Sequence, residues 1–188
     1  MYAAAAAEPE APPPPPKPVY LPELDSDQLM ALWGSVGTRV LQAALQLAEQ
    51  SKRAVIGDGS GDGFVHATLD MVPSARKPVS PHVYGYLIFS MSGPSLQRRT
   101  SDIMEGDVAV IADAEFRGRK GLVPYHQHVG SLADPLVGVV HEFEPKNGKM
   151  RLLTASVHPN HYPTIESQSF RLDDLKQGFF KVYRVAQA

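Results

Sequence analysis

The sequence predicts an α+β fold in which N-terminal helices pack on a curved antiparallel sheet, and three observations carry that prediction. Over residues 39–52, Val40, Leu41, Ala44, Leu45, Leu47 and Ala48 recur at helical spacing, in a stripe wide enough for a deeply packed helix. From Tyr84 onward the texture changes to short runs rich in branched and aromatic residues, separated by turn residues. Two of those runs flank Asn147-Gly148, a pair that closes antiparallel hairpins. Helices first and consecutive strands afterward belong to α+β architecture rather than to alternating βαβ units.

Taken in chain order, residues 1–20 are an alanine- and proline-rich tail with a proline run over residues 12–16. Such a segment buries too little apolar area to offset the entropy of ordering it, so it reads as disordered or extended polyproline II. Residues 21–188 read as one domain. Asp25 or Ser26 is placed to cap a short helix carrying Leu29, Met30, Leu32 and Trp33, which Gly34 and Gly37 interrupt. Thr38 is placed to cap the helix over 39–52, and the glycine-rich stretch 57–63 follows as an irregular turn. Strands are expected over 84–91, 107–112, 136–144, 150–157 and 179–185. No internal repeat is present.

Composition narrows the function. A net charge of -2 gives no broad positive field for a phosphate backbone, which disfavours nucleic acid as the main ligand. No apolar run approaches the roughly 18 residues of a membrane span, and the first residues lack the basic start of a secretory signal. A soluble protein is expected. The chain contains no cysteine, which excludes a disulfide framework and any thiolate chemistry of its own.

Several constellations invite a sharper reading. Asp58, Ser60, Asp62 and Gly63 reproduce the opening of a calcium-binding EF-hand loop, but its twelfth position is Leu69, where a bidentate carboxylate is required. A glycine turn explains the stretch better. His126 and His128 would share a strand face, and His158 and His161 would lie close in a turn, yet no metal-site spacing of carboxylates joins them. No metal and no cofactor is expected. Pro12-x-x-Pro15-x-Lys17 in the tail is the pattern that docks SH3 grooves, so SH3 domains or profilin are its expected partners. For a hydrolase without cysteine, Ser35 and Thr38 are the candidate nucleophiles at the entrance to the buried helix, with a histidine as base. No G-x-S-x-G elbow is present, and Thr38 is adequately explained as a helix cap.

Two resemblances add to this. The stretch 106–123 is similar to the KOW motif of RNA-associated SH3-like barrels, a strand, a basic glycine turn and a second strand, in which Arg117, Arg119 and Lys120 would form one small basic patch. It supports an alternative reading as an RNA- or ribosome-associated domain. The second resemblance covers nearly all of residues 24–188. LWGSVGTRV, SKRAVIGDGSGDGF, YGYLIFSMSG, SDIMEGDVAVIADAEFRGRKGL, PLVGVVHEFEPKNGKMRLL and ESQSFRLDDLKQGFFKVYRV, in that order, resemble the C-terminal domain of fungal SH3-containing cortical actin-patch proteins, the myosin tail region-interacting family. It implies a papain-like, cysteine-proteinase-type fold and a cytoplasmic role at cortical actin patches, with type I myosin and WASP-type factors as partners. In papain-like hydrolases of the bacterial cell-wall type, the nucleophile opens the buried helix and the histidine opens a central strand. Here the first place is expected near Gly34 to Thr38 and the second at Pro135 or Leu136, and neither carries the required side chain. The resemblance therefore implies a noncatalytic domain whose vestigial cleft, Ser35, Thr38, Pro135 and Leu136, serves as a binding groove.

Overall fold

A computed structural model describes residues 21–188 apart from Val79 and Asn160. The tail, and with it Pro12, Pro15 and Lys17, lies outside the described residues.

Three helices precede the sheet. Asp25 caps α1 (Ser26–Leu32) through a capping box: its carboxylate accepts from the Gln28 amide, and the Gln28 side chain accepts from the Asp25 amide. The glycines at 34 and 37 do not end this helix as expected. Residues Trp33–Gly37 form a π-helical turn that runs straight into α2 (Thr38–Gln50). Thr38 is accordingly no cap; it sits in helical conformation and its hydroxyl donates to the Gly34 carbonyl at 3.1 Å. Gly37 makes the turn fit, because a Cβ there would lie 2.5 Å from the Trp33 ring.

On α2 the buried stripe is Val40, Ala43, Ala44 and Leu47. Leu45, expected on the packed side, is 41% exposed. At about 100° per residue it stands nearly opposite the centre of the stripe. The glycine stretch, read as an irregular turn, opens at its end a third helix, α3 (Gly61–Asp70), which buries Phe64, Val65, Thr68 and Leu69.

The sheet has eight strands: β1 (Gly85–Ser92), β2 (Ser95–Arg99), β3 (Val108–Lys120), β4 (Val123–Val129), β5 (Leu136–Glu144), β6 (Lys149–Ser156), β7 (Thr164–Arg171) and β8 (Leu175–Val185). Their order is β2-β1-β8-β3-β5-β6-β7, all antiparallel, with β4 paired to the outer half of β3. The β5–β6 hairpin turns at Gly148 with φ 55°, a left-handed conformation that glycine adopts without steric cost. Strands β2 and β7 lie outside the expected runs, and β4 is the second strand of the hairpin read at 106–123; β2 is exposed throughout and lacks the alternation that marks a half-buried strand. The order is also not a plain meander, since the last strand enters between β1 and β3.

Alternation along the strands splits the interior in two. Val108, Val110, Val137, Val139, Tyr183 and Val185 face the helices and join Val40, Ala44, Phe64 and Leu69. Ala109, Ile111, Val140, Leu152, Phe180 and Val182 face the other way and close with Phe116, Met150, Phe170 and Leu175. Phe116 on β3 reaches Phe170 on β7 at a ring separation of 5.4 Å, although β5 and β6 lie between those strands. The sheet is therefore curled around the second cluster. No helix among the described residues is long and apolar enough to cross a membrane.

Candidate functional site

The start of α3 is a close point of contact between the helices and the sheet. Asp58 accepts from the Ser60 amide at 2.9 Å and from its hydroxyl at 2.6 Å, and these bonds hold its carboxyl below the usual range. The Ser60 hydroxyl in turn accepts from the Gly63 amide at 2.9 Å, capping α3. The calcium-like spacing is thus a turn and a helix cap. Gly61, the first residue of α3, rests on the opening of β5. A Cβ at this position would overlap the Val137 carbonyl oxygen and lie 3.0 Å from Thr154 Oγ1, which itself donates to that carbonyl at 2.6 Å.

A nucleophile opening a buried helix onto the start of a central strand would therefore stand at Gly61, with Leu136 beside Val137 on the strand, and not at Gly34 to Thr38. The expected cleft residues are not brought together. Ser35 lines a groove with Leu24, Gln28 and Tyr86, whereas Pro135 lines a separate trough with Leu132, Phe179 and Lys181. The Ser35 hydroxyl donates to the Leu32 carbonyl at 3.0 Å, and Thr38 donates to Gly34; neither bonds to a histidine. The π-helical turn packs elsewhere: Trp33 Nε1 donates to the Glu105 carbonyl at 2.8 Å, and Gly106 packs against the Gly37 carbonyl without room for a side chain.

Beside Gly61, Asp62 gathers a polar cluster. It accepts from the Tyr84 hydroxyl and has His66 Nε2 at 3.5 Å and His82 Nδ1 at 3.6 Å. Burial, reinforced by Asp62, pushes the Tyr84 phenol well above its ordinary value. Two further histidines meet one carboxylate each: His126 lies 2.5 Å from Glu115 and His158 lies 2.8 Å from Glu166. His126 and His128 have ring centroids 6.4 Å apart. Among the described residues no group of three candidate ligands has metal-binding geometry.

The hairpin of β3 and β4 divides the three cations of the KOW-like stretch. Arg117 and Arg119 share one strand face, where Arg117 bonds Glu115 and holds its carboxyl below the usual range, with His126 adding to the effect. Lys120 lies on the other face, its ammonium 5.2 Å from the centre of the Tyr125 ring. One basic patch does not form.

The sequence signal for Gly61 was present in Phe64, Val65, Thr68 and Leu69, which repeat at helical spacing straight after the glycines. The glycines outweighed it, because their turn propensity masks a cap whose side chain is Ser60. Nothing in the sequence pairs Gly61 with Val137 or Thr154, since that contact belongs to the packing.

The fold and this site together define a cysteine-proteinase-type α+β domain in a chain without cysteine. The chain belongs to the AIM3/BBC1 cysteine proteinase-fold domain family, which matches residues 7–188. It is also similar to the SH3 domain-containing protein C23A1.17 of Schizosaccharomyces pombe, with 26% identity over 143 residues. The match takes in 75% of this chain and 9% of that protein's length. No solved structure matches the chain.

Proposed function

We propose that this chain is a noncatalytic protein-interaction domain of a fungal endocytic actin-patch regulator, acting in the cytoplasm at cortical patches. The observation that carries the noncatalytic part is Gly61. The helix start that abuts the central strand has no side chain, no space for one, and no cysteine elsewhere in the chain to replace it. Family membership and a relative whose printed description includes an SH3 domain support a place in the actin-patch machinery. Type I myosin and WASP-type factors are the proposed partners, with the proline-rich tail engaging SH3 domains or profilin.

The purified chain, incubated with acyl, peptide and ester substrates, is expected to give no turnover above buffer. Activity that disappears in Ser35→Ala or Thr38→Ala would replace this reading with a hydrolase. A pulldown from fungal lysate with and without residues 1–20, probed for type I myosin and WASP-type factors, separates partners of the tail from partners of the domain.

A further inference from the structure

We propose that a trough across β8 and β3, on the helix-side face of the sheet, docks a peptide segment presenting an apolar side chain next to a carboxylate. This deepens the interaction-domain reading above and rests on it. On β3 and β8, Val108, Val110, Tyr183 and Val185 are covered by the helical layer. The same alternation carries the face onward to Ala112, Lys181 and Phe179, where that cover gives out and a trough of about 270 Å³ opens. Two loops wall it: Pro81, His82 and Val83 on one side, Leu132 and Pro135 on the other. Three of the apolar groups stand open to solvent, Leu132 at 69%, Phe179 at 41% and Val83 at 36% exposed.

Lys181 gives the trough its chemistry. It lies in a central strand, paired to Ser90 on one side and Val110 on the other, so its side chain rises from the middle of the sheet rather than from an edge. No ion pair among the described residues includes it. Asp62, the carboxylate next to the His82 wall, already faces Tyr84, His66 and His82. A lysine stem adds apolar surface while its ammonium remains a point charge seeking an anion. Small-molecule sites enclose roughly 300–1,000 Å³, and this trough falls just below that range, which suits one or two side chains better than a cofactor. A nucleic-acid strand needs several cations in a row, whereas the trough offers one lysine. Apolar walls around a single unpaired cation match a leucine- or phenylalanine-type anchor beside an aspartate or glutamate.

The test is selection from a phage-displayed random peptide library on the full chain, followed by affinity measurement of the enriched peptides on Lys181→Gln and Leu132→Asp. Thermal melts that stay cooperative establish that both variants fold. Wild type is expected to enrich peptides with an acidic residue within two positions of a large apolar one, and each variant to bind them roughly tenfold or more weakly. Enriched peptides without acidic bias, peptides bound equally well by both variants, or no enrichment at all would overturn the trough as a docking site. Peptides held elsewhere on the domain leave the interaction reading standing, while turnover of the substrates named above would remove that reading itself.

Discussion

A methyl group is the smallest side chain that tests the contact at Gly61. Its backbone is not in a left-handed conformation, so the cost of Gly61→Ala comes from overlap with the Val137 carbonyl oxygen, a backbone atom that cannot swing aside as a side-chain end does. Overpacking of this kind costs about 1–3 kcal/mol, and urea denaturation should show a loss in that range. A midpoint unchanged from wild type would mean that α3 slides to admit the methyl group, and that the position can hold a side chain after all. On α2 the structure reverses an expectation about single residues. Leu47→Ala should cost about 2–5 kcal/mol, because Leu47 is only 7% exposed and truncation leaves a cavity. Leu45→Ala should stay within about 1 kcal/mol, since its side chain is already 41% exposed. Equal losses in the two variants would show that α2 is rotated from the orientation described.

Among the elements, the hairpin of β3 and β4 offers a test that stability data alone do not. Tyr125 on β4 donates to Asp174 at 2.7 Å, tying the hairpin to the short turn that precedes β8. Burial and this bond push the Tyr125 phenol up to about 12. The folded state thus holds the phenolic proton more tightly than the unfolded chain, whose tyrosine titrates near 10. The stabilisation is fully present below about pH 10 and fades as the pH rises through about 12. Subtracting the phenolate absorbance titration of Tyr125→Phe from that of wild type should isolate a midpoint above the ordinary tyrosine value. A difference curve centred at or below 10 would show that the bond to Asp174 is not made in solution.

At the scale of the whole molecule, one buried ion pair binds the helical segment to the sheet. Arg184 on β8 and Asp107 before β3 are each 1% exposed at the side chain, and the guanidinium donates to both carboxylate oxygens, at 2.9 and 2.8 Å. The other donors of Arg184 reach the carbonyls of Leu29 in α1 and Asp102, and the Ser101 hydroxyl. One side chain therefore joins the first helix, the 101–107 segment and the last strand. Burial pushes the Asp107 carboxyl up, and Arg184 together with the Met104 amide pulls it down. Arg184→Met leaves that carboxylate without its partner, and removing one member of a buried pair costs about 3–5 kcal/mol. A two-state melt should drop accordingly, and an Asp107→Leu, Arg184→Met double variant should recover part of the loss. A double variant that loses as much stability as the Asp107→Leu and Arg184→Met singles added together would mean that the pair carries no coupling of its own.

The α+β class, an α1 cap at Asp25 or Ser26, the β5–β6 hairpin at Asn147-Gly148 and the absence of a thiol nucleophile were legible in the sequence alone. Each depends on interactions within a few residues or on composition alone, so periodicity and turn chemistry reach them. Tertiary structure decided the rest. The run through Trp33 to Gly37 stays helical because Trp33 bonds Glu105 and Gly37 meets Gly106, contacts some 70 residues away along the chain that override the helix-breaking tendency of two glycines. Strands β2, β4 and β7 exist through their partners, and β8 finds its place between β1 and β3 only when the whole sheet is assembled. The same holds for the site. Gly61 meeting Val137, and Lys181 standing unpaired in a trough between two loops, join residues 76 or more positions or several strands apart, and local pattern carries no information about which distant surface a side chain will meet.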